Sequence, residues 1–332
     1  MRARAIVARA PARLDFGGGW TDVPPYPERE GGAVCNVAIT RYATATVATG
    51  GHVAVRSSIV RSHDDALLRA AVRRSNLPDI EAQLESDYPV GAGLGGSSAA
   101  GVAIAGALAV LAGSRPEPDA LAALSRETEV EELGMAGGFQ DHYAAAFGGA
   151  LLLTFERDVQ VERIELGVDA RRAIAQRGIA IYTGESRISG DTIIAVRDAY
   201  LANDGRVVSA LANMKSLAFQ MASALRHEDL DTLGALIGEQ WSHQRQLHLS
   251  ITTPRIDTIV ETATRAGALG TKALGASGGG CVLAFARAGR EDELARALAP
   301  LGERLTYSID TTGFDVVALL EGESSLEDEP HR

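Results

Sequence analysis

Apolar positions recur along this chain in two rhythms. Ile80-Glu-Ala-Gln-Leu-Glu-Ser86 alternates apolar and polar residues strictly, which predicts a half-buried strand. Ile6–Ala10 reads as a strand running into Pro11 and the glycines of Gly17-Gly-Gly19. Ala33–Thr49 is rich in Val, Ala, Ile and Thr, and Gly50-Gly51 then marks a turn into Val53-Ala-Val-Arg56. That pattern predicts a hairpin. Further strands are expected at Ala150–Phe155, Ile179–Tyr182, Cys281–Phe285, Leu305–Ile309 and Phe314–Leu320. Helical spacing runs over Pro118–Leu133, Asp191–Leu201, Val207–Arg226 and Leu230–His248. Pro254 opens one more helix, through Ala266, with Thr252 or Thr253 as its cap. Two α+β halves meeting at a cleft fit this order. The boundary falls near residues 156–176, and the charged tail from Glu321 to Arg332 reads as disordered.

One segment breaks both rhythms. Pro89-Val-Gly-Ala-Gly-Leu-Gly-Gly-Ser-Ser-Ala-Ala100 has Pro or Gly at five of its first eight positions, and a long apolar helical run comes next, Gly101–Ala112. A flexible turn opening into a helix presents backbone N–H groups at the positive end of the helix dipole, which suits a phosphate. Gly91-Ala-Gly-Leu-Gly-Gly96 satisfies G-x-G-x-x-G literally, yet the dinucleotide reading fails. It needs a second strand ending in an acidic residue about 20 positions on. Here Gly113-Ser-Arg-Pro-Glu-Pro-Asp119 leads into another helix. The turn lacks a Gly-Lys-Ser/Thr, so a Walker loop is excluded too.

Composition narrows the classes. The chain has 332 residues, is 46% hydrophobic and 23% charged, and carries a net charge of −11. This is globular composition, and the acidic balance argues against a nucleic-acid or anionic-membrane binder. Positive charge comes almost wholly from arginine, the lysines being Lys215 and Lys272. Cys35 and Cys281 have no metal-type spacing, and a disulfide framework is not expected. The basic N-terminus lacks the apolar stretch of a signal peptide. The longest apolar run, Ala99–Ala112, is too short to span a bilayer. A cytoplasmic protein, monomer or homodimer, is the expectation. His142 and His248 read as structural, and the serine-rich turn has no His partner for a hydrolase triad.

Three further segments accompany the glycine turn: Ala10-Pro-Ala-Arg-Leu-Asp-Phe-Gly-Gly-Gly-Trp-Thr-Asp22, Gly137-Gly-Phe-Gln-Asp141 and Gly275-Ala-Ser-Gly-Gly-Gly280. With them the chain resembles a GHMP kinase. Pro89–Ala99 is similar to that family's signature P-x-G-x-G-L-G/S-S-S-A, and the motifs stand in family order over most of the chain. Gly18-Gly-Trp-Thr-Asp-Val-Pro-Pro-Tyr26, Gly31–Ile39, Gln140–Gly149 and Ile251–Asp257 resemble the branch that holds D-glycero-D-manno-heptose 7-phosphate kinases and the kinase region of L-fucokinases.

The resemblance implies an α+β, two-domain fold. Residues 1–165 would form an ATP-binding domain like domain 2 of ribosomal protein S5. Residues 166–322 would be ferredoxin-like, with a disordered tail over 323–332. It implies an ATP- and Mg²⁺-dependent kinase acting on the anomeric hydroxyl of a sugar or sugar phosphate. Pro89, Gly91, Gly93, Leu94, Gly95, Gly96, Ser97 and Ser98 would cradle ATP. Ser97, with Ser98 as the alternative, and Glu129, with Glu131 as its competitor, would hold Mg²⁺, whose preference is for such hard oxygens. Gly96 departs from relatives that often carry serine there. Asp141 would be the base and Arg13 the cation beside it, stabilising the transferring phosphoryl. Asp22, Gly19, Trp20, Thr21, Tyr26, Arg187, Gly278 and Gly279 would contact the sugar, Trp20 or Tyr26 offering an apolar face or else packing in the core. A distal phosphate on the sugar would need a basic cluster, for which Arg41, Arg56 and Arg61 are near in sequence. Other small alcohols, mevalonate or a cyclitol, are the alternative substrates. A non-catalytic sugar sensor on the same fold is the rival outside enzymology.

Overall fold

The computed structural model describes residues 4–49, 55–57, 62–134, 137–185 and 190–321. Arg61, Arg187 and the tail 323–332 lie outside them, as do the side chains of Arg56 and Glu131. In chain order the elements begin β1 (Arg4–Gly17), α1 (Tyr26–Glu30), β2 (Gly32–Thr49), β3 (Val55–Ser57), α2 (Ser62–Ser75) and β4 (Ile80–Ser86). Next come α3 (Gly96–Leu111), α4 (Pro118–Arg126), a π-helical turn at Glu127–Glu132, α5 (Gln140–Phe147), β5 (Ala150–Phe155) and β6 (Val159–Ile164). The second half adds α6 (Val168–Arg177), β7 (Gly178–Tyr182), α7 (Gly190–Leu201), α8 (Gly205–Arg226), α9 (Leu230–Gln244) and α10 (Pro254–Arg265). It closes with β8 (Gly270–Ala273), β9 (Cys281–Phe285), α11 (Glu291–Leu298), β10 (Glu303–Leu305) and β11 (Asp315–Glu321).

Among the described residues these strands make two sheets. The first has seven strands, along the path β11-β1-β2-β4-β3 with β5 and β6 attached to β2. The second has four, in the order β10-β7-β9-β8, all antiparallel. With helices between β7 and β8 and between β9 and β10, that is the β-α-β-β-α-β ferredoxin-like arrangement. The last strand, β11, returns to pair with β1 in the first sheet.

The expected hairpin at Gly50-Gly51 is corrected. β3 pairs parallel with β4, which lies between β3 and β2. A parallel neighbour needs a crossover, and the periodicity of β2 and β3 does not say which neighbour each takes. The expected helix over Pro118–Leu133 is α4 plus the π turn, and the helix expected to reach His248 ends at Gln244. His248 instead accepts from the Ser250 N–H at the start of a 3₁₀ turn.

Burial tracks the apolar pattern. α3 is apolar all round, and 13 of its residues are buried, as such a helix must be. It packs on β1 and β2 beneath α2, α4 and α5. α8 serves two cores: Leu217, Ala218, Met221 and Leu225 join the first, while Val207, Leu211 and Met214 join the second. The helical layer of α8 and α9 therefore ties the two sheets together, and the candidate site lies along their seam.

Candidate active site

The glycine turn alternates backbone hands. Gly91, Gly93 and Gly95 have φ of +73°, +74° and +70°, and the residues between them, Ala92 and Leu94, are buried anchors. Successive N–H groups in such an alternation form an anion-binding concavity. No side chain caps α3, and its first turn holds no acidic residue of its own, so its first N–H groups suit an anion from outside the helix. Tyr88 explains Gly96. Its hydroxyl donates to the Gly96 carbonyl at 3.0 Å, and a Cβ on Gly96 would lie 2.5 Å from the ring. A serine there would strike the tyrosine.

Arg13 and Asp141 meet directly above this turn. Arg13 Nε donates to Asp141 Oδ1 at 2.7 Å, and Nη1 donates to the Gly93 carbonyl at 2.6 Å. The arginine is buried, whereas the Asp141 side chain keeps 27% of its exposure. A carboxylate reached by solvent on one side and held by a guanidinium on the other can take a proton from an incoming hydroxyl. A Cβ on Gly95 would fall 3.0 Å from Asp141 Cγ, so the carboxylate stands against the N-terminus of α3. Asp141 is the second residue of α5 and not its cap.

Asp22 is buried and accepts from the backbone N–H of Phe139 at 2.9 Å and of Gln140 at 3.0 Å. Burial pushes its carboxyl up to about 6; the charges of Asp141 and Asp15 push the same way, and the two amides pull back. Gly138 leaves room for it, since a Cβ would lie 2.1 Å from Asp22 Oδ2. The loop from Gly18 to Asp22 and the segment leading to Asp141 are thus one unit.

The metal question is posed by Ser97, Ser98 and Glu129, which converge. Ser97 Oγ donates to Glu129 Oε1 at 2.5 Å and Ser98 Oγ to Oε2 at 3.2 Å. Ser98 is buried, and its hydroxyl also lies 3.3 Å from His142 Nε2. His142 sits in turn 3.3 Å from Glu129 Oε2 and 2.9 Å from Ser125 Oγ. Burial lowers the histidine pKa, so a neutral ring with one N–H holds the back of the carboxylate. Ser97 is on the outer side and Ser98 on the inner. One carboxylate and one hydroxyl fit Mg²⁺, which takes most of its ligands from water and phosphate oxygens. Among the described residues no cluster of three His, Cys, Asp or Glu could hold a metal without them.

The third motif packs on the first. Cys281 N donates to the Ala92 carbonyl at 2.8 Å, and a Cβ on Gly93 would lie 2.5 Å from the Leu274 carbonyl. Gly278 N donates to the Ile251 carbonyl at 2.9 Å. Gly279 approaches Glu185 so closely that a Cβ would sit 2.7 Å from its carbonyl. These glycines abut the loop that leads to Arg187.

The remaining expected sugar contacts pack against the protein itself. Trp20 and Tyr26 are buried, at 7% and 4% exposure, in the second core, and the Tyr26 ring lies 5.4 Å from that of Tyr200. Packing is what the structure shows for both, because α7 and α8 close over them. Thr21 is occupied by the chain itself, its Oγ1 accepting from Ala33 N and lying 2.7 Å from the Gly18 carbonyl. Gly19 makes space: a Cβ would lie 2.4 Å from Asp15 Oδ2 and 3.0 Å from Gln140 Nε2. Arg41 is half-buried and tethers Thr306 and Asp87.

Sequence reasoning missed Asp15 and Lys272. Lys272 is fully buried and ion-paired to Asp15 Oδ2 at 2.9 Å. Burial pulls the ammonium below the usual lysine range, and Asp15 opposes that pull. The available signal was position: Asp15 is two residues after Arg13 on one strand and so shares its face.

Residues 59–149 match the family model of the GHMP kinases N terminal domain, and residues 221–303 match that of the GHMP kinases C terminal. The chain belongs to the GHMP kinases and is, with them, an ATP-dependent phosphotransferase. It is 26% identical over 318 residues to the D-glycero-alpha-D-manno-heptose 7-phosphate kinase of Campylobacter jejuni, covering 89% of this chain and 93% of that one. It is 24% identical to the bifunctional fucokinase/GDP-fucose pyrophosphorylase of Arabidopsis thaliana, over 86% of this chain but 30% of that longer protein. A crystal structure of a D-glycero-D-manno-heptose 1-phosphate kinase from Bacteriodes thetaiotaomicron shares the fold, with a TM-score of 0.73 at 23% identity, covering 95% of this chain and 99% of that one. No helix among the described residues is long and apolar enough to cross a membrane.

Proposed function

We propose that the protein is a sugar-1-kinase that transfers the γ-phosphoryl of ATP to the anomeric hydroxyl of D-glycero-D-manno-heptose 7-phosphate. The observation that carries the reaction is the Arg13–Asp141 pair at 2.7 Å, set against the N-terminus of α3. Likeness to the Campylobacter jejuni kinase along nearly the whole of both chains supports the acceptor. L-fucose is the second acceptor, supported by the match to part of the bifunctional plant protein.

In this reading the glycine turn and the first N–H groups of α3 hold the phosphates. The C1 hydroxyl lies between Asp141 and the γ-phosphorus. Asp141 takes its proton as the new C1–O–P bond forms and the bond to the bridging oxygen of ADP breaks. Arg13 faces the charge that gathers on the transferring group. Ser97 Oγ and Glu129 Oε1 would hold Mg²⁺, while Ser98 and His142 brace the carboxylate. When bound, the ion neutralises phosphate charge. Asp22, ringed by amides, would accept from sugar hydroxyls, with Gly278 and Gly279 shaping the far wall.

A coupled ADP-release assay over heptose 7-phosphate, L-fucose, galactose, mannose and mevalonate tests the acceptor. Turnover is expected with heptose 7-phosphate, and none on any sugar sinks the reading. Asp141→Asn should lower kcat by about 10²–10⁴-fold and leave ATP binding intact. A sensor would bind sugar and ATP in both forms and release no ADP.

A further inference from the structure

β1 does not run evenly to its end. Asp15 pairs with Asn36 and Gly17 with Cys35, so Phe16 is an extra residue with no partner across β2. Such a bulge turns backbone carbonyls out of the ladder, bends the strand and re-aims the chain beyond it. Beyond this bulge lies the loop 18–25, which carries Asp22.

Lys272 fills the gap the bulge leaves. Its Nζ donates to the Asp15 carbonyl at 2.7 Å, to Asp15 Oδ2 at 2.9 Å and more weakly to the Phe16 carbonyl at 3.4 Å. An ammonium has three protons to give, and all three are directed at the two residues of the bulge. The acceptor side is less complete. Asp15 Oδ1 and both amide atoms of Asn36, its cross-strand neighbour, are buried with no hydrogen-bond partner. Two of the three lysine contacts go to backbone carbonyls, so the side chain holds the main chain as well as the carboxylate.

Position makes the clamp consequential. Lys272 lies on β8, three residues before Gly275. The loop from Gly275 to Gly280 is the one that packs on Ala92 and Gly93 of the phosphate turn. Arg13, which holds Asp141, lies two residues before Asp15. One side chain from the second sheet thus grips the first sheet where the phosphate and acceptor segments diverge.

We propose that Lys272 is a positioning residue, its ammonium clamping the bulge at Asp15 and Phe16 and thereby fixing the first part of the loop 18–25, which receives the acceptor. The proposal rests on the reading of that loop as the acceptor site, and its test keeps the two apart. In Lys272→Met the side chain keeps its bulk and loses its donors. The KM for heptose 7-phosphate should rise by about tenfold or more, with the KM for ATP changed by less than about twofold. Backbone amides of residues 15–22 should exchange with deuterium faster than in the parent, beyond any change in the rest of the first sheet.

The single variant leaves Asp15 charged and unpaired, which is strongly destabilising. The double variant Lys272→Met with Asp15→Asn removes that charge. It should regain thermal stability yet keep the raised sugar KM and the fast exchange at 15–22. Parent-like KM and exchange in a stable double variant would overturn the proposal, since the lysine would then serve only to neutralise Asp15. A double variant that cannot fold overturns it as well, because the ammonium would be holding the whole core. If the parent protein does not phosphorylate heptose 7-phosphate, the proposed acceptor falls, and the exchange measurement alone decides for or against the clamp.

Discussion

Asp22 and His142 carry opposite burdens of burial. For Asp22 the raised carboxyl, about 6 against 3.8 for an unperturbed aspartate, means that the folded state binds a proton more tightly than the unfolded one. Its contribution therefore favours folding below about pH 4 and is lost as pH rises through 6. At about 1.4 kcal/mol per tenfold change in proton affinity, the parent should lose on the order of 3 kcal/mol relative to Asp22→Asn across that window. Urea unfolding of both proteins at pH 4, 5, 6 and 7 measures it; a flat difference refutes it. For His142, removal of the ring strips support from Glu129, Ser98 and Ser125 together. His142→Ala should cost about 1–3 kcal/mol and raise the Mg²⁺ concentration needed for tight ATP binding by about tenfold or more. Calorimetric titration of ATP at several Mg²⁺ levels reads this without turnover. Arg13, Asp22, Glu129 and Asp141 stand in local motifs that the sequence shows, and the structure brings these four to one region. The Asp15–Lys272 pair was not, because its partners stand 257 positions apart and no short period links them. The roles of Trp20 and Tyr26 were undecidable from composition, since an aromatic near a ligand loop and an aromatic in a core look alike until the covering helix is known.

At the level of elements, strands with plain signals were read to the residue. β4 alternates, and β5 and β9 are short apolar runs bounded by Gly or charge. Of the two cap candidates for α10, Thr252 and Thr253, the structure uses Thr253, whose Oγ1 accepts from Ile256 N. Pairing was another matter. β3 lies parallel beside β4 because a crossover, not a turn, joins it to its neighbour, and alternation is blind to that. Nor did the pattern foresee the π turn after α4, which carries Glu129. A further prediction belongs to the glycine turn as an element. Gly93→Ala meets two obstacles, a φ of +74° and the Leu274 carbonyl 2.5 Å from the new Cβ. Strain at such a position costs of order 1–3 kcal/mol, and the turn must shift away from the third motif. A lowered melting temperature together with weakened ATP binding is expected; unchanged ATP affinity would show that the hand of this residue is irrelevant to phosphate binding.

For the molecule as a whole, the reading of two α+β halves from strand and helix order holds in outline, with a seven-stranded and a four-stranded sheet. What the order of elements did not reveal is that the second half gives its last strand to the first sheet. β11 covers one edge of β1, the strand that bears Arg13 and Asp15, and Val316 packs against the first core. An uncovered edge is a template for aggregation. Removal of residues 315–332 should therefore lower solubility and melting temperature far more than removal of 323–332 alone. Light scattering on the two truncations makes the comparison, and equal behaviour would mean that β1 needs no cover.

The contact of Gly93 with Leu274 and Gly275, and of Ala92 with Gly280 and Cys281, is made by main chain against main chain. Such a seam has no side chains through which one partner can be retuned to suit the other. Recombination between this protein and a relative should succeed when both loops come from the same parent. It should fail when a crossover separates them, however well the remaining surfaces match. The two segments are thus a single unit of inheritance, although some 180 residues of chain run between them.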